Sequence, residues 1–500
     1  MRRSMPIFFS AILLTGVNLL LRLVSTSFQV YVSGRIGAAG VGLLQLVLSI
    51  GGLAMTAGIA GIRTTAMYLT AEELGQKKHG SVVWVLSSCL LYSLICSCAV
   101  AAVLYCFAPM IAQLWIGDMR TLGALRLLAL TLPMTCLCGC MTGYFTAANR
   151  IGTLAAVEIA EQLCSMAATM IALHCWAGND AGRACLAVVL GSGTGACLTF
   201  VCLVILRLLE HPVQGPRLRV RRRLLDAAVP LALADDLKVG LNTLENLMVP
   251  KRLALYPGTS APLAQFGMVC GMVFPVLMFP AAILFGLNEL LIPELARCSA
   301  AGSQRRIHYL VRRGLRVAML YGVLCCGIEY LLSDYLCAAL YGSLEAGVYL
   351  RQFSLLIPML YCDAITDAMI KGLGQQKVCV RYNILTSALD VVFLYVLLPK
   401  YGMAGYFWSF LITHLLNFGL SLRRLLHITG KRIRWRTPVI TAAVMLLAIW
   451  GGSHFPSPAG RVLGYAAGLG SLMCLSGIVG KEDILWLKGL VRTKEKCPLE

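Results

Sequence analysis

The sequence predicts an all-α polytopic membrane protein with fourteen transmembrane helices, and three observations support this fold class. Of the 500 residues, 58% are apolar and only 13% are charged, and the mean hydropathy is +0.78. Soluble globular chains carry about 25% charged residues. Apolar windows of about 20 residues, the length that crosses the hydrocarbon layer, recur along the whole chain. Basic residues concentrate between alternate windows.

The apolar windows define the predicted spans in order. They lie at 6–30, 41–69, 82–108, 121–146, 151–176, 184–209, 224–249, 263–291, 310–332, 349–370, 379–398, 401–422, 437–452 and 461–480. The first window follows Arg2 and Arg3, as a signal peptide would. We interpret it as a retained helix, because it is long and no A-x-A-like cleavage site precedes the second window.

The distribution of basic residues predicts the orientation. Placing the N-terminus in the cytoplasm and counting residues at span edges with the adjacent loop gives 31 Lys and Arg in cytoplasmic segments and 9 outside. The remaining three, Arg22, Arg63 and Lys238, lie inside spans and complete the total of 43. This asymmetry follows the positive-inside rule and puts both termini in the cytoplasm. The net charge of +20 then reflects topology and contact with anionic lipids, not binding to nucleic acid.

The chain is predicted to contain two similar halves and a tail. We expect an N-terminal six-helix lobe at 1–210, a basic cytoplasmic linker at 211–223, a C-terminal six-helix lobe at 224–430, two extra helices at 431–480 and a cytoplasmic tail at 481–500. Features of the first half recur 221 to 225 residues later, in the pairs Gly37 and Gly258, Glu72 and Glu294, and Pro133 and Pro358. Parallel repeats of this kind occur in transporters.

Prolines and cysteines within the spans have structural interpretations. Pro275 and Pro280 interrupt span eight, and Pro133 and Pro358 interrupt spans four and ten, so either packing kinks or gating bends are expected there. The 21 cysteines lie mostly within apolar windows. A C-x-C-x-C run on a helix cannot gather four ligands on one side, so cysteine is interpreted as a small apolar filler, with no disulfide or metal centre.

Polar side chains inside the first spans align on helical faces. Span one carries Asn18, Arg22, Ser25 and Gln29 at helical spacing, with Arg22 near the middle of the window. Arg63 closes a similar face on span two. Two intramembrane arginines indicate a cationic cavity that can hold phosphate oxygens. The alternative is that both snorkel to the interface or pair with carboxylates.

Acidic residues on later spans offer partners or ligands. Glu158 and Glu161 share one face of span five with Gln162. These carboxylates either neutralise the arginines, which we favour, or contact substrate. Glu158 joins Arg22, Arg63, Gln29 and Asn18 as the candidate substrate-binding set.

The C-terminal half carries a candidate ion-coupling set. Span seven contains Asp235 and Asp236, and span eleven presents Asn383, Ser387 and Asp390 on one face. Oxygen ligands converging from two helices can hold Na⁺, and a buried carboxylate can carry a proton. Structural pairing is the alternative for each carboxylate. Span ten adds Asp363, Asp367 and Lys371 at fourfold spacing, and span seven a possible Lys238–Glu245 pair.

Four stretches of the chain resemble the stage V sporulation protein B branch of the polysaccharide-flippase families. They are Arg22–Gln45, Tyr144–Glu161, Phe266–Glu294 (FGMVCGMVFPVLMFPAAILFGLNELLIPE) and Lys371–Lys377 (KGLGQQK). The superfamily also contains multidrug and toxin extrusion transporters and lipid II flippases. The resemblance covers most of the first 430 residues and contains no catalytic motif.

The resemblance implies two six-helix lobes in a V around a central cavity that alternates between inward-open and outward-open states. It implies a polyprenyl-pyrophosphate-linked oligosaccharide as substrate, such as a peptidoglycan or cell-wall polysaccharide precursor. Arg22 maps onto the first-span arginine of the pattern. Phe28 and Gln29 stand where lipid II flippases carry an Arg-Asp pair, which leaves the head group open. Relatives with a sodium site implicate Asp235 or Asp236, and Asp390.

The sequence therefore predicts a monomeric flippase of a bacterial cytoplasmic membrane that is not an enzyme. No Walker-type loop is present, so no nucleotide cofactor is expected, and Na⁺ or H⁺ would provide coupling. Its partners would be the lipid-linked saccharide and membrane lipids. A cation-coupled exporter of organic cations is the alternative, and it would require an acidic cavity. A membrane glycosyltransferase or polymerase, or a purely structural morphogenesis protein, are minor alternatives.

Overall fold

The computed structural model of the chain describes residues 7–75, 82–148, 150–178, 180–209, 221–430 and 436–478. The described residues are all-α, without a strand, which confirms the predicted fold class. Most of the predicted linker and the whole tail at 481–500 lie outside the described residues. In chain order the helices of the first half are Ile7–Ile59 (α1), Ile62–Gly75 (α2), Val82–Met110 (α3), Leu122–Ala147 (α4), Ile151–Ala172 (α5), Ala181–Leu208 (α6) and Arg221–Leu253 (α7).

The second half continues the helical pattern with shorter and more broken elements. Its helices are Pro262–Met268 (α8), Phe274–Leu277 (α9), Ala281–Ala300 (α10), Gln304–Tyr341 (α11), Leu344–Ser354 (α12), Ile357–Gly372 (α13), Gln376–Tyr401 (α14), Met403–Thr429 (α15), Arg436–Ser453 (α16) and Pro458–Leu475 (α17).

Seven helices among the described residues are long and apolar enough to cross a membrane, and up to nine spans result if each of two bent helix pairs counts as one. The protein is thus polytopic. The number of fourteen spans stays a prediction. Many large apolar side chains point outward, such as Leu130 and Ile171, as expected where lipid replaces water as the solvent.

Glycine and proline set the breaks. Gly37 has φ 69° and interrupts the helical conformation inside α1, a left-handed backbone that favours glycine. The helix axis bends by 63° between α8–α9 and α10, where Pro275 and Pro280 lie, and by 56° between α12 and α13 near Pro358. Both predicted interruptions are therefore present. In contrast, α4 continues through Pro133 as one helix.

The chain divides into two compact units, which are described separately. Unit I contains residues 23–272 and 383–413. One of its two apolar cores includes Leu43, Val47, Leu125 and Phe266, and the other includes Ile62, Phe145 and Leu203. Unit II contains residues 1–22, 273–382 and 414–500. In unit II Tyr361 and Tyr465 are fully buried, and the Tyr465 hydroxyl donates to the carbonyl of Val323 over 2.6 Å.

An ion-pair clasp joins α2 to the start of α7 in unit I. The Arg223 guanidinium donates to Glu72 over 2.7 Å and to Glu73 over 3.2 Å. The helices also approach closely at Gly61, where a Cβ atom would lie 2.6 Å from the carbonyl oxygen of Ala228. The glycine therefore permits the approach that brings the charges together.

Candidate functional site

The first helix carries the predicted arginine stripe. Arg22 is half-buried and has no ion pair among the described residues. Asn18 lies on α1, but its side chain is outside the described part of the structure. Further along α1, Ser25 accepts a hydrogen bond from the amide of Gln162 on α5 over 2.9 Å. A half-buried arginine without a carboxylate partner agrees with the predicted role in binding an anion, which stays a prediction.

Gln29 has a structural contact that the sequence did not predict. Its amide nitrogen donates to the carbonyl oxygen of Gly271 over 3.0 Å. Gly271 lies in the π-helical turn Val269–Val273, four residues before Pro275. Proline has no N–H to offer the carbonyl four residues earlier, and an unserved carbonyl is costly in a membrane. The Gln29 amide therefore supplies the missing donor, and its binding of substrate stays a prediction.

The second arginine and the acidic face of α5 are brought together in part. Arg63 at the start of α2 interacts electrostatically with Glu158 on α5, and both side chains are exposed. Glu161 instead accepts a hydrogen bond from Thr199 on α6 over 2.8 Å. Glu161 is thus held by a threonine and not by an arginine, and the choice between the two interpretations of this face stays a prediction. Arg63 and Glu158 remain available to a ligand.

The polar residues of α7 divide between packing and exposure. Thr243 and Asn246 donate to the backbone oxygen and the hydroxyl of Ser49 on α1, over 3.1 and 3.0 Å. Asp235 is exposed, and Asp236 is half-buried with Oδ1 buried and without a hydrogen-bond partner among the described residues. These two carboxylates are therefore not used to hold α7 against α1.

Asp390 is the most enclosed member of the predicted ion-coupling set, 8% exposed. Its Oδ1 accepts hydrogen bonds from Ser409 and, over 3.2 Å, from Thr413, both on α15. Asn383 and Ser387, on the same helix as Asp390, are half-buried. Hydroxyl donors stabilise a carboxylate, and the same oxygens could instead face a cation.

The structure does not bring Asp390 to the acidic pair of α7. These helices meet where the Arg252 guanidinium lies over the Tyr395 ring. With a rise of about 1.5 Å per residue, Asp236 is roughly 24 Å along α7 from this contact and Asp390 roughly 8 Å along α14. The carboxylates thus lie at different heights in this conformation. One ion site shared by both sets stays a prediction.

Unit II contains a second set of carboxylates held by α15. Asn417 donates to both oxygens of Asp363 over 3.2 Å, and Ser421 donates to Asp367 over 3.0 Å. The α13 carboxylates could be recognised in the sequence, but their partners on α15 could not be predicted from it. The detectable signal was a fourfold polar repeat on α15, namely Ser409, Thr413, Asn417 and Ser421.

A cavity of about 660 Å³ lies within unit II, between α11, α15, α16 and the chain after α17. Its walls are largely apolar and include Leu315, Met319, Phe418, Leu422 and Leu426. Arg312 and Arg316, one turn apart on α11, also line it. Arg316 donates to the carbonyl of Ile478, whereas Arg312 is exposed and has no partner among the described residues. The cavity combines an apolar volume with cationic groups, which suits an anionic lipid.

No group of three His, Cys, Asp or Glu side chains arranged to hold a metal ion occurs among the described residues. Twenty cysteines are described, and all are free thiols. The arrangement is built from the ion pairs, hydrogen bonds and apolar packing described above. What it offers is charged and apolar surface for binding.

Comparisons with known proteins agree with this arrangement. A family model described as polysaccharide biosynthesis protein matches residues 42–257. Stage V sporulation protein B of Bacillus subtilis (strain 168) is 21% identical over 406 residues, which cover 79% of this chain and 78% of that protein. The predicted resemblance to the polysaccharide-flippase families is confirmed.

Two solved structures share the fold. The lipid II flippase MurJ in an inward closed conformation matches with a TM-score of 0.67 at 12% identity, over 96% of this chain and 100% of that chain. An inward-facing multidrug resistance MATE family transporter of the MOP superfamily matches with a TM-score of 0.65 at 12% identity, over 84% and 100%. At this identity the two likenesses show the fold alone.

Proposed function

We propose that this chain is a transporter of the MOP superfamily that flips a polyprenyl-pyrophosphate-linked oligosaccharide, a peptidoglycan or cell-wall polysaccharide precursor, across a bacterial cytoplasmic membrane. The observation that carries the proposal is the unit II cavity, whose apolar walls and two arginines match a lipid chain attached to a phosphate. The name of the lipid II flippase and the family description polysaccharide biosynthesis protein point the same way.

The proposal includes the predicted topology of fourteen spans, two six-helix lobes and cytoplasmic termini. In that topology the start of α11 faces the cytoplasm, so Arg312 and Arg316 lie at the level of the inner-leaflet phosphates. The tail of a lipid substrate drawn from that leaflet would enter there. Reporter fusions after Glu210 and after His427 should read as cytoplasmic, and one after Asp180 as external; a cytoplasmic reading after Asp180 contradicts this topology.

Head-group recognition is assigned to Arg22, with Arg63 as a second cation. Arg22→Ala should abolish flipping in proteoliposomes while the protein still inserts, because the half-buried guanidinium has no ion-pair partner among the described residues that the substitution would remove. Arg22→Lys should recover only part of the rate, since an ammonium cannot form the bidentate fork to a phosphate. Full activity of the alanine variant at normal protein level refutes the assignment.

The cavity is tested with its own pair of variants. Arg312→Ala should lower the amount of lipid-linked saccharide that co-purifies with the protein in mild detergent, measured by mass spectrometry. Arg305→Ala is the matched control, because Arg305 is an exposed arginine on the same helix that does not line the cavity. Equal loss of lipid in both variants would indicate a general charge effect.

Energy coupling is assigned to Asp390 with its hydroxyl partners on α15. An ion drives transport only if it binds the two conformations with different affinity. Asp390→Asn should therefore remove the response of flipping to an imposed sodium or pH gradient while substrate binding remains. Export of an organic cation by the reconstituted protein, without flipping, would favour the alternative antiporter. The observation that supports this alternative is the pair of hydrogen-bonded carboxylates, the half-buried Asp363 and the buried Asp390.

A further inference from the structure

Glu329 is a buried carboxylate that the proposed function does not use. It lies on α11 in unit II, and the residue is 4% exposed. Both Oε1 and Oε2 are buried and have no hydrogen-bond partner among the residues that the structure describes. An ionised carboxylate without a partner in a medium of low dielectric costs several kcal/mol or more. Neutralisation by a proton removes most of that cost.

The titratable groups around Glu329 do not serve it as donors. Tyr361 on α13 and Tyr321 on α11 interact with it electrostatically. Their hydroxyls donate elsewhere, Tyr361 to the carbonyl of Leu277 over 3.4 Å and Tyr321 to that of Pro280 over 2.9 Å. The remaining interacting groups are thiols of α11, namely Cys325, Cys326 and Cys337. Thiols are weak donors, so this surrounding does not stabilise an anion.

The neighbouring cations are engaged with other partners. Arg351 on α12 binds Ser333 and forms an ion pair with Asp334. Arg461 on α17 donates to the carbonyl of Phe455 over 3.1 Å and to that of Leu331 over 3.5 Å. On α17, the Tyr465 hydroxyl donates to Val323. Arg351 and Arg461 are thus held by Ser333, Asp334 and backbone oxygens, and neither donates to Glu329.

We infer that Glu329 is a proton-binding site, which carries a proton in the conformation described and releases it to water in another conformation. The step is a proton transfer only, in which the Oε–H bond breaks, a carboxylate remains and water takes the proton. The exit is short, because the half-exposed Asp334–Arg351 pair lies five residues further along α11, roughly 8 Å along the axis. A two-state protein whose states differ in proton affinity responds to pH.

Infrared spectroscopy of the purified full-length protein tests the protonation directly. The spectrum of the parent at neutral pH should contain the C=O stretch of a protonated carboxylic acid. The spectrum of Glu329→Gln should lack this band and should keep the carboxylate intensity of the parent. Glu345→Gln is the matched control, because Glu345 is an exposed carboxylate on α12 and its removal should reduce the carboxylate bands instead. Loss of carboxylate intensity in Glu329→Gln would show an ionised Glu329 and overturn the inference.

A second variant covers the case in which Glu329→Gln does not insert. Glu329→Asp keeps the acid and shortens the side chain by one methylene, so the protonated band should shift in position and persist. If no protonated band changes its position in this variant, the inference is also overturned. Neither infrared result depends on the identity of the transported substrate.

The release of the proton is tested by transport, and this arm rests on the proposed function. Flipping in proteoliposomes is measured over a range of pH for the parent, Glu329→Gln and Glu345→Gln. We expect Glu329→Gln to lose the pH dependence and Glu345→Gln to retain it. If the parent shows the protonated infrared band but Glu329→Gln keeps the pH profile of the parent, the release of the proton is refuted. If neither the parent nor any variant flips the lipid-linked saccharide while the infrared band is present, the proposed substrate is refuted and the proton site remains supported.

Discussion

Replacing Arg223 with alanine should measurably destabilise unit I, because it removes the ion-pair partner that Arg223 supplies to the buried carboxylate of Glu73. The Glu73 side chain is 3% exposed, and that of Glu72 is 32% exposed. The cost therefore comes mainly from Glu73. Breaking a fully buried ion pair by removing one partner costs about 3–5 kcal/mol. Arg223 is itself 43% exposed, so water screens the interaction and we expect about 1–3 kcal/mol.

The corresponding change in melting temperature is large enough to measure. At about 2–4 °C per kcal/mol for a unit of this size, the midpoint should fall by roughly 2–12 °C. The chain supplies its own reporter, because buried cysteines such as Cys89, Cys136 and Cys140 become reactive to a fluorescent thiol probe on unfolding. Arg222→Ala is the matched control, since Arg222 is exposed and should change stability by no more than about 0.5 kcal/mol.

A double-mutant cycle with Glu73→Gln isolates the interaction itself. If the clasp exists, the cost of Arg223→Ala should be smaller in the Glu73→Gln background, with a coupling of about 0.5–3 kcal/mol. Equal effects of Arg223→Ala and Arg222→Ala, or additive effects in the cycle, would refute the clasp. Arg223→Lys should be intermediate, because an ammonium cannot contact both carboxylates with a planar fork.

Two further predictions use other contacts of unit I. A Cβ atom at Gly143 would lie 2.3 Å from the carbonyl oxygen of Arg63, so Gly143→Ala should lower stability by about 1–3 kcal/mol. Gly152→Ala is the control and should not lower stability, because the space around Gly152 is open. Equal melting midpoints of the two variants contradict the close packing at Gly143. The Arg120 side chain lowers the pKa of Asp118 by hydrogen bonding. The stabilisation that this pair contributes is about 1 kcal/mol or less, because the pair is exposed. It is present above the pKa of Asp118 in the unfolded chain and is lost as pH falls through the pKa of the folded state. The midpoints of the parent and Asp118→Asn should differ at neutral pH and converge in acid, and a constant difference refutes this.

The helices and their breaks could be predicted from the sequence because the bilayer dictates them. Apolar windows report where lipid is the solvent, and Pro275, Pro280 and Pro358 remove donors where the helices bend. Pro133 shows the limit of this reasoning, since α4 continues through it. Whether a proline breaks a helix depends on what surrounds the freed carbonyl, and a single sequence does not contain that information.

The partners of the polar residues could not be predicted for a related reason. Helical spacing places Asp390 on a face, but it does not reveal that Ser409 and Thr413 lie opposite. Serine and threonine also satisfy themselves on their own helix, as Thr413 does on the carbonyl of Ser409, so they leave little signal. Glu329 was missed because a lone acid near the end of an apolar window resembles a loop boundary.

The hydrogen bond from Gln29 to Gly271 has an evolutionary consequence. The amide at position 29 is needed because position 275 is proline, and a substitution at either position changes what the other can tolerate. In a library that varies both, apolar residues at 29 should survive only when Pro275 has been replaced by a residue with an N–H. Substitutions at these two sites, 246 positions apart, are therefore expected to be correlated in evolution. The order in which they occur decides which of them are tolerated.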